Sequence, residues 1–273
     1  MTRRVPPVMV AGAVLAAAAA AAALLAPWIS PHDPLAISDP VGAQLLPPGG
    51  AHPLGTDAYS RDVLSRLLHG ARVSLLVAIG ATLVATLIGA AVGFAAGLGP
   101  SALDGALMRG VDVLLALPRI FLLIAALAML DDISLPLLVL FIGLMSWLET
   151  SRLVRAHVRE LRQADFVSAA VALGGGSRRV ARHLLPHVGA TLLVSATMDI
   201  GGIMLLEAGL SFLGLGVRLP QPSWGNMILE GRHLLFTAPW IALAPGVALT
   251  MTAVAFNLLG DGLRDALDPR RRA

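Results

Sequence analysis

The fold of this chain is decided by one uncharged stretch, residues 73–103, which reads VSLLVAIGATLVATLIGAAVGFAAGLGPSAL. It lies between Arg72 and Asp104 and exceeds the roughly 20 apolar residues that a helix needs to cross a bilayer. Its apolar residues run on without the polar alternation of a barrel strand. It contains glycines, and small residues let membrane helices approach closely. The stretch therefore predicts a transmembrane helix.

Five further apolar segments predict an all-α integral membrane protein with about six transmembrane helices. The segments near the two ends of the chain are as free of acids and arginines as the first one. The three in the middle are less clean, because they are short or carry an acid or an arginine. The predicted helices cover residues 8–29, 73–98, 108–130, 133–150, 187–210 and 236–259.

The composition agrees with a membrane protein and argues against several other kinds of protein. Of the 273 residues, 56% are hydrophobic and only 14% are charged, whereas a soluble domain has about 25% charged residues. This argues against a disordered chain and against a soluble enzyme. The absence of cysteine excludes disulfides and thiolate metal sites. All 20 basic residues are arginine, so the lysine of a phosphate-binding P-loop is missing. If ATP drives this protein, the ATPase is another chain.

Arginine placement predicts that both termini lie in the cytoplasm. The loops on that side of six helices hold 14 arginines, and the loops on the other side hold 5. Arg3 and Arg4 before an alanine-rich run also resemble the start of a secretory signal peptide. The apolar run from Val8 to Ala26 exceeds the usual 7–15 residues of such a peptide. We therefore expect a retained transmembrane helix.

The chain is expected to have two parts. Residues 1–72 would form the first transmembrane helix and an external loop, and residues 73–273 would form a five-helix core. Apolar residues within 61–68 recur at helical spacing and predict a short amphipathic helix on the outer surface. It is either a lead-in to the second span or a docking surface for an external partner, for which the candidate residues are Asp57, Arg61 and Asp62.

A second polar segment, residues 152–186, is predicted to lie in the cytoplasm. Residues 152–173 are compatible with a helix, and the glycines at 174–176 would end it. Ser177 can cap a second short helix that runs to Pro186. Seven arginines lie in this segment. We do not interpret them as a nucleic-acid site, because the loop is short and the chain is too apolar.

The chain, including the two polar segments described above, resembles a permease subunit of bacterial ABC importers. The resemblance is to the "C" type of permease in the dipeptide/oligopeptide/nickel family. The resemblance covers nearly the whole chain. It rests on five regions in the order of the family, one of which is the cytoplasmic segment described next. The other four are HPLGTD followed by RDVLSRLLHGARVSL at 52–75, MRGVDVLLALP at 108–118, the last external loop with EAGLSFLGLGV at 207–217 and PSWGNM at 222–227, and NLLGDGLRDALDPR at 257–270. It implies the type I importer permease fold in the cytoplasmic (inner) membrane.

The cytoplasmic segment resembles the importer loop E-A-A-x3-G-x9-I-x-L-P, with two departures. Ser168 stands where the family has glutamate, and the distance from Gly174 to Pro186 is one residue shorter. The resemblance implies that this loop couples the permease to an ATPase. The implied coupling residues are Asp165, Phe166, Ser168, Ala169, Ala170, Gly174 and Pro186.

The resemblance also implies the partners. They are a second, homologous permease subunit, two ATP-binding cassette subunits and an external binding protein that delivers the substrate. ATP and magnesium would bind to those partners, so no cofactor and no metal site is expected on this chain. Short peptides are the expected substrates, and nickel or a metal chelate is the alternative. The histidines favour peptide mildly, since none falls centrally in a predicted span.

Ionisable residues inside predicted spans are candidates for the transport path, because they are costly in a membrane. They are Asp112, Arg119, Asp199 and Glu207. Asp112 and Arg119 are alternatively a structural pair, and Glu207 is expected near the hydrated outer end of its helix. An ion-coupled secondary transporter is a weaker alternative, since we find no repeat between the two halves. An intramembrane enzyme is disfavoured by the lack of a catalytic motif.

Overall fold

The computed structural model describes residues 6–37, 39–130, 132–165, 167 and 176–267. Within these ranges the regular elements are helices. In chain order they are α1 Pro7–Ile29, α2 Val63–Leu98, α3 Ser101–Leu115, α4 Arg119–Ala128, α5 Leu135–Leu161, α6 Ser177–Phe212, α7 Trp224–Gly231, the 3-10 turn Arg232–Leu234 and α8 Trp240–Leu267.

The predicted all-α membrane architecture is confirmed. Among the described residues, α1, α2, α5, α6 and α8 are long and apolar enough to cross a membrane. The pair α3 and α4 makes a sixth span if the two are counted together. The first and last predicted spans agree with α1 and α8, although α8 continues to Leu267.

Residues 63–68 of the helix predicted at 61–68 are the first turns of α2, which agrees with the interpretation as a lead-in to the second span; a separate surface helix at these positions is wrong. Asp62 caps α2 with its carboxylate, which accepts a hydrogen bond from Ser65 N at 2.7 Å. The helix then runs without interruption for 36 residues, or about 54 Å at 1.5 Å per residue. That length exceeds the roughly 30 Å of a bilayer core. Thus α2 carries the chain from the polar segment 30–62 into the membrane as one rod.

The single helix predicted at 108–130 is also wrong, because Pro118 divides it. A proline disfavours helical backbone in the residue before it, and α3 accordingly ends at Leu115. The next helix begins at Arg119, and the axes of α3 and α4 differ by 80°. α3 is fastened to α5 through Asp104, which accepts hydrogen bonds from Arg155 Nη2 at 2.7 Å and Arg159 Nη2 at 2.6 Å.

The helices on either side of the predicted cytoplasmic loop are longer than expected. α5 ends at Leu161 instead of 150, and α6 begins at Ser177 instead of 187. The separate second short helix predicted from Ser177 to Pro186 is therefore the start of α6, with Pro186 inside it. A proline is tolerated inside a membrane-protein helix where neighbouring groups satisfy the freed backbone.

The centre of the fold is the packing of α2 on α5. Gly89, Gly93 and Gly97 lie four residues apart along α2, so they share one face. Opposite them lie Thr150, Val154 and Val158 of α5, and a methyl group on any of the three glycines would come within 2.6 Å of its partner. This close approach explains the glycines. The glycines let α2 and α5 pack more closely than larger side chains at these positions would allow.

Candidate functional site

A polar cavity between α4, α5 and α6 is the candidate for the solute path. Its volume is about 350 Å³, and a neighbouring cavity of about 300 Å³ shares Arg119, Ser146 and Glu149 with it. The polar side chains that line the larger cavity are Arg119, Ser146, Glu149, Thr150, Ser195 and Asp199.

Charges of both signs face this cavity. Arg119 is exposed at the start of α4, and its Nη1 donates to Ser146 Oγ at 3.4 Å. Asp199 on α6 accepts from Ser195 Oγ at 3.4 Å and interacts electrostatically with Glu149 and Arg119. The structure thus brings together Arg119 and Asp199, two of the predicted path residues. A cavity with this lining can bind a solute that carries both charges.

Glu149 is a cavity residue that the sequence reasoning missed. The predicted helix ended at residue 150, which put Glu149 at a membrane border where a carboxylate is unremarkable. Because α5 continues to Leu161, Glu149 lies near its middle, with an exposed side chain. The signal was present in the sequence, since the residues after 150 remain compatible with a helix.

Asp112 lies elsewhere, and its predicted pairing with Arg119 is wrong. Its carboxylate pairs with Arg152 of α5, and both side chains are about half exposed. The break at Pro118 explains the difference, because Arg119 belongs to a helix that points away from α3 by 80°. Asp112 therefore joins α3 to α5 and does not line either of the two cavities.

Glu207 is fully buried, so the hydrated position expected for it is wrong. Ser211 Oγ donates to its Oε1 at 2.6 Å and Ser74 Oγ to its Oε2 at 3.4 Å, and Ser223 also hydrogen-bonds to it. Ser74 in turn accepts from Trp224 N at 3.1 Å. Glu207 thereby connects α2 and α6 to the start of α7. Within the described chain, these contacts indicate a structural role in which Glu207 holds helices together.

The three candidate docking residues are buried, and two of them, Asp57 and Arg61, form a network with Arg66 and Glu230. Asp57, Arg61 and Asp62 are 2%, 7% and 1% exposed. Arg61 Nε donates to Asp57 Oδ2 at 2.7 Å, and Arg61 Nη2 contacts both carboxylate oxygens of Glu230 at 3.1 Å. Arg66, itself 1% exposed, donates to Asp57 and to Glu230 Oε2, the latter at 2.6 Å. Direct docking through these side chains would require the network to open, and the docking role stays a prediction.

The described part of the coupling loop is anchored to three helices. Val167 is buried in a small apolar core with Val154 and Val158 of α5 and Leu184 of α6. At the same end, Arg162 Nη1 donates to the carbonyl of Gly97 at the end of α2, at 3.0 Å. Asp165 and Pro186 are exposed. The remaining predicted coupling residues lie outside the described residues: Phe166, Ser168, Ala169, Ala170 and Gly174.

Comparison with known protein families shows which family the chain belongs to. Residues 89–273, from the middle of α2 to the end, match the family described as "Binding-protein-dependent transport system inner membrane component". The chain belongs to this family. It is accordingly a permease component of a transport system, not an enzyme, and it is a multi-pass protein of the inner membrane. A substrate-binding protein and ATPase subunits are the partners that the family implies.

Relatives of this permease extend the match over its whole length. The di/tripeptide transport system permease protein DppC of Pseudomonas aeruginosa is 38% identical over 255 residues, which are 90% of this chain and 83% of the relative. The "Probable D,D-dipeptide transport system permease protein DdpC" of Escherichia coli is 36% identical over 265 residues, which are 97% of this chain and 88% of the relative. The similarity thus includes the segment 30–62, which lies outside the family match.

Proposed function

We propose that this permease is one of two different permease subunits that form the path for short peptides in an ATP-driven importer. Both termini would lie in the cytoplasm, and an external binding protein would deliver the peptide. The relatives named for dipeptide and di/tripeptide transport support the substrate class. ATP and magnesium would bind to two ATPase subunits, since this chain has no P-loop lysine.

The observation that carries the proposal is the open, charged cavity beside α4. A charge in a membrane is expensive, and such residues face a bundle interior or a water-filled cavity. Arg119 and Glu149 are exposed on the described chain, so another protein surface should cover this side. A second permease subunit would do so and would close the cavity into a path.

The charges of the cavity suit a peptide. A peptide at neutral pH carries an ammonium group at one end and a carboxylate at the other. Glu149 and Asp199 can attract the first and Arg119 the second. A bare nickel ion would be repelled by Arg119 and attracted by the two carboxylates, so these charges alone do not favour it. Among the described residues that line the two cavities, no histidine is present for nickel to bind, whereas His157 and His187 line an adjoining cavity of about 780 Å³.

Uptake by the complete transporter in vesicles tests the path. We expect Glu149→Gln and Asp199→Asn to lower the uptake of a labelled dipeptide at least tenfold. Asp132→Asn, which changes an 81% exposed carboxylate outside the cavity, serves as the control and should transport normally. Wild-type uptake by both cavity variants would contradict the proposed path.

The same vesicles separate the alternatives. Labelled nickel taken up in place of the dipeptide would favour the metal importer. Dipeptide uptake that continues without ATP while a proton gradient is maintained would favour an ion-coupled transporter.

We propose further that residues 152–186 couple this subunit to an ATPase. The burial of Val167 against α5 and α6, and the bond from Arg162 to the end of α2, support this role. A force applied to the loop would reach the helices that line the cavity, because packed cores transmit strain.

Gly174→Pro and Ala170→Glu test the coupling. Both variants should insert into the membrane and assemble while ATP hydrolysis no longer drives uptake. The matched control is Ala36→Glu, which adds the same charge at an exposed position between α1 and α2. Normal transport by both loop variants would contradict this role.

A further inference from the structure

Three potential metal ligands from separate parts of the α1–α2 segment meet beside the start of α2. They are His32, His52 and Asp62. His52 Nδ1 lies 2.9 Å from Asp62 Oδ1, and His32 Nδ1 lies 3.7 Å from the same oxygen. All three ligand atoms lie within 4.8 Å of one another. The sequence alone did not indicate this cluster, because the two histidines are 20 residues apart in a proline-rich loop without a ligand motif.

These distances fit a small divalent ion. Zinc binds histidine nitrogen and carboxylate oxygen at about 2.0–2.2 Å in tetrahedral geometry, which places neighbouring ligand atoms about 3.3–3.6 Å apart. The measured 2.9 and 3.7 Å lie on either side of that range. The two distances to Asp62 need to change by a few tenths of an ångström to reach this range, and the separation of the two histidine nitrogens, which is within 4.8 Å, must reach it as well. The His32 side chain is 36% exposed at the edge of the cluster, although its Nδ1 faces inward. A water molecule bound to the ion would complete the tetrahedron.

The charge balance of the buried network also favours an ion. Arg61 and Arg66 donate to Asp57 and Glu230. The carboxylate of Asp62 is 1% exposed, and its recorded partners are Ser65 and the two histidines. A buried charge is normally paired with an opposite charge or bound to a metal. A divalent cation would supply the missing positive charge.

An unpartnered atom points to the same place. His32 Nδ1 is buried and has no hydrogen-bond partner among the described residues. Buried polar atoms of this kind are rare and call for an explanation. An ion between His32, His52 and Asp62 would bind this nitrogen.

The backbone around all three ligands is fixed without the ion. His32 N donates to Ser65 Oγ at 3.1 Å, and His52 N and O form hydrogen bonds with Gly49 at 2.8 and 3.0 Å. Ser65 N and Oγ both donate to Asp62 Oδ2 at 2.7 Å. The other oxygen, Oδ1, faces the histidines and is hydrogen-bonded to His52 Nδ1 at 2.9 Å, a contact that the ion would replace. Outer hydrogen bonds of this type orient metal ligands.

We propose that His32, His52 and Asp62 bind a zinc-type divalent transition-metal ion that fastens the α1–α2 segment to the start of α2. The arginine distribution assigns this segment to the outer side of the membrane. The ion would be a structural component of the permease. The site does not depend on the solute that the importer carries.

Zinc binding to the purified full-length chain in detergent tests the site. After removal of metal with a chelator, we expect the wild-type chain to bind one zinc ion, measured by equilibrium dialysis and elemental analysis. His32→Gln and His52→Gln should weaken this binding more than about 100-fold, because loss of an outer partner alone typically costs 10–100-fold. The control is His233→Gln, which changes an exposed histidine outside the cluster and should bind zinc like the wild type.

Two further measurements keep the test independent of how well a variant folds. Zinc should raise the Tm of the wild-type chain and leave that of His32→Gln unchanged. Cobalt added to the wild-type chain should give the visible spectrum of a tetrahedral site. A wild-type chain that binds no zinc would overturn the proposal. Equal zinc binding by His32→Gln would overturn it as well.

Discussion

A methyl group added at the α2–α5 contact should separate the two helices, and Gly93→Ala is the sharpest test. The new Cβ would lie 2.6 Å from Val154 Cβ and 2.7 Å from the Ser151 carbonyl oxygen. Carbon atoms pack best at about 3.5–4.0 Å, so about 1 Å of space is missing. One of the obstacles is a backbone atom, which no rotamer change can move. The helices themselves must shift.

The expected cost follows from overpacking, corrected for helix propensity. Adding a methyl group to a tightly packed core typically costs about 1–3 kcal/mol. Alanine also favours a helix over glycine by up to about 1 kcal/mol. Gly105→Ala in α3 isolates the first effect, because its Cβ would meet nothing within 4 Å. Gly93→Ala should therefore be about 1–3 kcal/mol less stable than Gly105→Ala.

Unfolding in mixed micelles with increasing SDS, followed by circular dichroism, measures this difference. The double variant Gly89→Ala/Gly93→Ala provides a second test, because both methyl groups press against α5. One displacement of the helix relieves both clashes, so the two costs should not add. Equal stability of Gly93→Ala and Gly105→Ala would refute the packing argument. Full additivity in the double variant would refute the idea of one rigid displacement.

Two further variants test the buried polar groups with the same assay. Arg66→Met should cost about 3–5 kcal/mol, because it removes one of the two arginines that balance Asp57 and Glu230. Arg218→Gln, in an ion pair that is more than half exposed, should cost no more than about 1 kcal/mol. A small effect of Arg66→Met would show that the network is open to water. Glu207→Leu should cost more than Glu207→Gln, since leucine leaves several serine hydroxyls without an acceptor, at about 1–3 kcal/mol each. The reverse order would contradict the network assigned to Glu207.

The sequence predicted the membrane helices well and their ends poorly, for one physical reason. Hydropathy reports the surroundings of a side chain, whereas a helix ends where backbone hydrogen bonds stop. At the start of α2, charged residues continue the helix outside the apolar stretch, from Val63 onward. At the end of α5, the helix continues past residue 150 to Leu161 in the same way. Pro118 by itself indicates a break in the helix. The apolar residues on both sides of it indicated one continuous span, and the prediction followed them.

The candidate site was less predictable, because its partners are distant in sequence. Glu207 seemed exposed, since the residue that helps to bury it, Ser223, lies beyond the end of its own helix. Arg66 and Glu230 are separated by 164 positions. No local pattern connects such residues. Arg119 and Asp199 were found from sequence for the opposite reason, since a charge inside an apolar run is visible without knowing its neighbours.

Two sets of charged residues differ in their surroundings, and the difference indicates which surface of the chain contacts other molecules. Asp57, Arg66 and Glu207 are buried, and the side chains that bond to them belong to the same chain. Arg119 and Glu149 are exposed beside a cavity within membrane-spanning helices. Lipid cannot solvate a charge, so the second group requires water or protein. The first group holds the permease together, and the second indicates the side on which a partner subunit and a solute should be sought.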